Sequence, residues 1–153
     1  MPYQSIDEIL RKMEHYCAYQ ERSHFQVEQK LREYDLIPEA QDHIILHLIQ
    51  NNFLNEERFA HIYVRGKFYH NKWGKQKIIQ GLKQHKIQTK LINNAIEKEI
   101  PKEDYVKNIM YLIEKKKREI TTKNSFLKKQ KIISFLRQKG YDFEDISSHI
   151  TSE

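Results

Sequence analysis

The sequence predicts an all-α protein built from three tandem three-helix repeats, each helix-turn-helix-like in size, in an elongated array. Its 153 residues include only four Gly and three Pro, too few for the many tight turns of a β-sandwich or barrel. Apolar residues recur at helical spacing in successive segments. The apolar positions also repeat, with a period of 51 and then 54 residues.

The repeat appears when three leucines are aligned. The aligned sets are Leu31, Leu82 and Leu136; Val27, Ile78 and Ile132; Leu36, Ile87 and Tyr141; and Ile45, Ile96 and Ile150. Each unit is too small to bury its apolar face alone, so neighbouring units must cover it. The predicted units are residues 1–51, 52–100 and 101–153.

The helices of the first unit have recognisable starts. Ser5 and Glu8 predict a capping box before a helix that runs to about Tyr19. Ser23 is the predicted N-cap of the second helix, and Pro38 stands in the first turn of the third, where its missing N–H costs nothing.

The second unit begins at Asn55, a predicted N-cap followed by two glutamates that suit the helix dipole. Asn71 is the predicted N-cap of the next helix, and Thr89 begins the third. Gly81 lies inside the middle helix, where it costs ~1 kcal/mol of helix propensity relative to Ala. Such a glycine indicates a close approach between helices.

In the third unit, Pro101 opens a long helix, and Asn124 or Ser125 caps the next. Gly140 is a natural residue to end that helix, and Asp142 is the predicted N-cap of the last one.

Charge is unevenly distributed. The net charge of +6 divides into −4 for residues 1–50, +6 for residues 51–100 and +4 for residues 101–153. From Arg58 to Lys90 there are nine basic residues and no acidic ones. A single basic run can be a solvated helix face, but two basic thirds behind an acidic third favour a polyanion or an acidic protein surface as partner.

Long cationic side chains can extend past a packed core, so they are the candidates for partner or nucleic-acid contact. The candidates are Arg58, Arg65, Lys67, Lys72, Lys75, Lys77, Lys83, Lys128 and Lys131. A second cluster, from Lys115 to Arg118, occupies four successive positions. Successive positions wrap around a helix, so at most two of these four can face one partner.

The sequence contains no complete catalytic or metal-binding pattern. His43 and His47 have a chelating i, i+4 spacing, but Ile44 stands where the zinc-protease pattern needs Glu. Cys17 lies on an apolar helix face, which favours a buried structural thiol over a nucleophile. The sequence therefore predicts a binding protein without enzymatic activity, cofactor or metal.

Localisation follows from what the sequence does not contain. The N-terminus lacks the apolar run of a signal peptide, and no stretch of ~18 apolar residues predicts a membrane span. The single cysteine cannot form an internal disulfide. A cytoplasmic protein is expected.

Two strings in the second unit, ERFAHIYVRGKF and KWGKQKIIQGL, resemble the central motif of the RecX family. The residues that carry the motif are Phe59, Ala60, Trp73, Gly74 and Leu82, with basic residues among them. The string CAYQERSHFQVEQKL resembles the N-terminal motif of that family, although Gln26 and Val27 replace its Glu-Leu. With KIISFLRQKGYDFEDI near the C-terminus, the resemblance covers nearly the whole chain.

Trp73, the only tryptophan, has two interpretations. It can stack a nucleic-acid base beside Lys72 and Lys75. Alternatively it fills the joint between two helices, with Gly74 allowing close approach. The resemblance favours the structural interpretation, because the Trp-Gly pair is a packing element in that family.

The resemblance implies three three-helix repeats and a regulator of the RecA recombinase. Such a protein binds the RecA–single-strand DNA filament and inhibits its recombinase, ATPase and co-protease activities in DNA repair. Binding to single-strand DNA would be weak and sequence-tolerant, and the chain would act as a monomer. The alternatives are a stand-alone helix-turn-helix-like nucleic-acid-binding protein and a helical adaptor unrelated to DNA.

Overall fold

The computed structural model describes residues 4–150, and in that range every regular element is an α-helix. The helices are α1 (Ile6–Tyr19), α2 (His24–Leu31), α3 (Pro38–Gln50), α4 (Glu56–Tyr69), α5 (Lys75–Gln84), α6 (Thr89–Glu99), α7 (Lys102–Glu119), α8 (Ser125–Gln138) and α9 (Phe143–Ser147). The predicted all-α class with tandem helical repeats is confirmed.

Most predicted helix starts carry the expected cap. The side chains of Ser5, Ser23, Asn55, Asn124 and Asp142 all accept hydrogen bonds from backbone N–H groups in the following turn. At Ser23 the cap is a full capping box, because the Gln26 side chain accepts from the Ser23 N–H at 2.9 Å.

The predicted cap at Asn71 is wrong. Helix α5 begins at Lys75, and its N-cap is Gly74, which has no side chain to cap with. The N–H groups of Gly74 and Gln76 instead donate to the carbonyls of Lys139 and Gly140, at 2.8 and 3.0 Å. Backbone carbonyls from the third unit therefore replace the side-chain cap that the local sequence suggested.

The aligned apolar positions are also equivalent in burial. Leu31, Leu82 and Leu136 are fully buried, and the set four residues earlier is at most 2% exposed. Ile87 and Tyr141 are buried, whereas their first-unit counterpart Leu36 is only half-buried. The repeat is therefore weakest at the turn that follows α2.

That difference matches the turn geometry. Helices α5 and α8 end in the same turn, in which the N–H of Ile87 or Tyr141 donates to the carbonyl five residues earlier. The preceding residue, Lys86 or Gly140, has a left-handed backbone with φ of 63° or 104°. In the described residues, α2 lacks a left-handed residue at its end.

The buried side chains form two clusters, not three. One joins α1, α2 and α3 with Leu54, and the other runs through α4 to α9. The second and third units therefore share one core, and the predicted unit boundaries remain a prediction. The chain exposes 10231 Å², whereas a compact monomer of its mass exposes about 8,300 Å². A tandem array accounts for the larger surface.

Candidate nucleic-acid and partner interface

Three of the motif residues form the interior beneath the candidate surface. Phe59, Ala60 and Leu82 are each at most 5% exposed. The ring of Phe59 lies 4.9 Å from that of His85 and 5.7 Å from that of Tyr63, measured between centroids. This packing fixes α4 against α5 and so fixes the cationic side chains that both helices carry.

Gly74 joins the second unit to the third, at a contact between residues 72–77 and 139–141 that we call the seam. A Cβ atom at position 74 would lie 2.5 Å from the carbonyl carbon of Gly140, so only glycine fits. The Tyr141 hydroxyl donates to the Lys72 carbonyl at 2.9 Å across the same seam. The glycine of the Trp-Gly pair thus serves a contact between units.

Trp73 lies half-buried beside the seam, with two lysines over its ring. The Nζ atoms of Lys67 and Lys77 are 4.9 and 4.5 Å from the ring. Cations at such distances are attracted by the negative face of the indole, which holds both side chains in place. The indole is therefore part of the packing and of the cationic surface at once.

Lys72 and Lys75 lie over tyrosines of the third unit. The Nζ of Lys75 is 4.4 Å from the ring of Tyr105, and that of Lys72 is 5.5 Å from the ring of Tyr111. Lys72 itself has a left-handed backbone, with φ of 58°. Four of the predicted contact lysines are thus oriented by aromatic rings and not by carboxylates.

Lys139, which sequence reasoning missed, extends this surface from the third unit. Its Nζ donates to the Asn71 carbonyl at 3.4 Å. Burial, and then the nearby charges of Lys115 and Lys77, lower the pKa of the Lys139 ammonium. The local signal was its position directly before Gly140, at the end of α8.

The two predicted arginines are paired with carboxylates. Arg58 donates from Nε to Glu21 at 2.8 Å, and also to the Asn52 side chain and the Phe53 carbonyl. Arg65 donates to Glu99 at 3.2 Å, and Glu99 also contacts His61 at 2.7 Å. Both arginines therefore carry intramolecular contacts before any partner binds.

The remaining candidates lie away from the seam lysines in sequence. Lys83 on α5 and Lys131 on α8 are exposed, and Lys128 is half-buried. Lys131 lines a groove of about 630 Å³ between α7 and α8, together with Lys116 and Phe135. Their part in a partner surface therefore stays a prediction.

Residues 4–150 offer little support for a metal site, a membrane span or a reactive thiol. No group of three metal-ligating side chains comes together there, and none of its helices is long and apolar enough to cross a membrane. His47 contacts Glu14 at 2.8 Å. Cys17 is buried as predicted, and burial raises its pKa to about 11, which makes the thiol unreactive.

Two family models match consecutive three-helix segments of the chain. The model for the second three-helix domain of RecX matches residues 55–96, and that for the third matches residues 103–150. The chain belongs to the RecX family. The sequence-based recognition of that family is therefore confirmed.

RecX relatives support the family assignment both by sequence identity and by structural superposition. Regulatory protein RecX of Bacillus cytotoxicus is 35% identical over 127 residues, and that of Bacillus mycoides is 32% identical; each match covers 82% of this chain. The crystal structure of RecX from Lactobacillus salivarius superposes with a TM-score of 0.83 at 25% identity, covering 94% of this chain and 92% of that one. A second RecX crystal structure gives a TM-score of 0.84 over 94% of this chain and 71% of that one; at 24% identity it shows the fold alone.

The chain spans about half the length of the curated relatives, 46% in both Bacillus proteins. The activities and partners of those longer proteins therefore apply to this chain only as a proposal.

Proposed function

We propose that this chain is a regulator that binds the RecA–single-strand DNA filament and inhibits its recombinase, ATPase and co-protease activities. The observation that carries the proposal is the combination, in one chain, of a RecX-family sequence and a cationic surface at the seam. The chemistry is steric and electrostatic, without a catalytic step. The protein acts as a monomer in the cytoplasm, where such filaments form.

The charge asymmetry suggests how the chain lies on the filament. The first fifty residues carry a net charge of −4 and suit basic protein surface, whereas the remainder carries +10 and suits phosphate or acidic protein surface. An array of repeats can contact several RecA subunits at once, because stacked units form one extended surface. Binding across subunits would block filament growth or promote disassembly.

The test is RecA's single-strand-DNA-dependent ATP hydrolysis, titrated with this protein well below one molecule per DNA-binding site. A steep fall in hydrolysis at substoichiometric ratio is expected, because one molecule that caps a filament end affects many subunits. Unchanged hydrolysis at a large excess would contradict the proposal for the recombinase tested.

A stand-alone nucleic-acid-binding protein is the second candidate, favoured by the three-helix units and the lysines at the seam. It predicts tight, sequence-dependent duplex binding at physiological salt. The leading proposal predicts weak, sequence-tolerant binding to DNA alone and tight binding to the filament. Anisotropy titrations of duplex, single strand and filament at one salt concentration separate the two.

A further inference from the structure

The lysines around Trp73 come from two different units. Lys67 and Lys77 belong to the second unit, and Lys139 belongs to the third. The Nζ atoms of Lys67 and Lys77 lie 4.9 and 4.5 Å from the same indole ring. The distance between the two Nζ atoms is therefore at most the sum of these two distances. The hydrogen bonds of the seam hold Lys139 beside them.

No carboxylate neutralises this cluster in the part of the chain that the structure describes. Every ion pair found there that involves lysine or arginine uses other cations, among them Arg58, Arg65 and Lys116. Burial, and then the charges of Lys115 and Lys77, lower the pKa of the Lys139 ammonium, so like charges add to the cost of desolvation there. An anion at the seam would relieve this repulsion, whereas one at Arg58 would compete with Glu21.

The chemistry of the cluster suits a single nucleic-acid strand better than an acidic peptide. Ammonium groups act as point charges toward phosphate and carboxylate oxygens alike, so the aromatic ring and the spread of the lysines over two units decide between these partners. The half-buried Trp73 ring lies under Lys67 and Lys77, so a base that stacks on it replaces a lysine whose ammonium moves to a phosphate. A flexible single strand can follow lysines that lie on two units, since it can bend at each phosphate.

We propose that Lys67, Lys77, Lys139 and the Trp73 ring form a composite site for the phosphodiester backbone and a base of single-strand DNA. The inference rests on the proposed function, because it names the DNA-contacting part of that surface. Binding needs side chains from both units, so the docked seam creates the site.

Direct binding to DNA, without RecA, tests the site separately from the regulatory proposal. The probe is a fluorescein-labelled oligo-dT, titrated across a salt series, with Trp73 emission as a second readout because Trp73 is the only tryptophan. Each lost phosphate contact reduces the magnitude of the slope of log K against log salt concentration by about 0.7 for a single strand. The variants are Lys77→Gln from the second unit and Lys139→Gln from the third.

Lys12→Gln is the matched control, because Lys12 is exposed on α1 in the unit with the separate core. We expect each seam variant to bind several-fold more weakly with the smaller slope, and Lys12→Gln to bind like the unmodified protein. Seam variants indistinguishable from Lys12→Gln would overturn the site. An effect from Lys77→Gln alone would overturn its composite nature.

Competition by poly-glutamate, folding of the variants and RecA hydrolysis supply three further outcomes. If poly-glutamate at equal charge displaces the oligonucleotide and changes Trp73 emission as strongly, the surface takes acidic protein and the proposal is wrong. If Lys139→Gln does not fold by circular dichroism, Lys139→Met, which keeps the length of the side chain without its charge, supplies the same comparison between units. Normal DNA binding with unchanged RecA hydrolysis would reject the regulatory function but keep this site.

Discussion

Lys86 has the backbone that glycine prefers. Its φ is 63°, and Gly140 occupies the equivalent position at the end of α8. A side chain in the left-handed region costs about 1 kcal/mol or more. We therefore expect Lys86→Gly to be about 1 kcal/mol more stable than Lys86→Ala, in urea unfolding followed by circular dichroism. Both variants lose the cation over the Phe25 ring, so their difference isolates the backbone; equal stabilities would refute this explanation.

His85 makes stability depend on pH. Its Nδ1 lies 2.8 Å from the buried Ser23 hydroxyl, which can donate to the neutral ring. Burial, and then the charge of Lys67, lower the pKa of His85 below 6.5. The unfolded chain therefore binds more protons, and stability should rise with pH from the lower folded pKa up to about 6.5.

The measurement is urea unfolding at several pH values between 5 and 7.5. His85→Gln should flatten the rise just described, because it removes the titrating group. His43→Gln, at an exposed position on α3, should leave the rise intact. A His85→Gln profile that parallels the unmodified protein would assign the pH dependence to other groups.

At the scale of the helix pair α4–α5, Gly81 marks a close approach, as the sequence predicted. A Cβ atom there would collide with the Tyr63 hydroxyl. Ala gains about 1 kcal/mol of helix propensity, but overpacking costs about 1–3 kcal/mol. We expect Gly81→Ala to destabilise the protein, and Tyr63→Phe to recover much of that loss in the double variant. Additive effects in thermal unfolding would show that the hydroxyl is not the obstacle.

Local signals predicted the elements well, since caps and apolar spacing act within one helix. Ser23, Asn55, Asn124 and Asp142 all cap as expected. Asn71 failed because the partners of the α5 N-terminus are Lys139 and Gly140, about 65 residues away. A backbone pairing of that kind leaves no trace in local sequence.

At the scale of the whole molecule, the predicted contact surface stays a prediction, and the sequence could not sort its basic residues by their intramolecular partners. Lys67 and Lys77 remain without a carboxylate in the described chain, whereas Arg58 meets Glu21. Spacing within a helix cannot show which acid from another unit reaches which cation. Lys139 was missed for the same reason, since only the seam brings it to Lys77.

The first unit has its own core, and the described contacts that join it to the second are largely polar. Arg58 is central among them, because it bonds Glu21 of the first unit, and also Asn52 and the Phe53 carbonyl in the loop that joins α3 to α4. Losing charged hydrogen bonds of this kind costs about 1.5–3 kcal/mol. We therefore expect Arg58→Met to let the first unit open on its own, at least tenfold more often.

Two natural probes separate the units, since Cys17 is buried in the first core and Trp73 packs on the second. Arg58→Met should speed labelling of Cys17 by a thiol reagent while the unfolding midpoint from Trp73 emission hardly moves. The charge of Arg58 helps to lower the pKa of Cys17, so its loss alone would slow labelling of the folded state. Faster labelling therefore requires opening. Arg65→Met, which loses only the Glu99 contact within the second unit, is the control; equal labelling in the two variants would mean that Arg58 does not hold the joint.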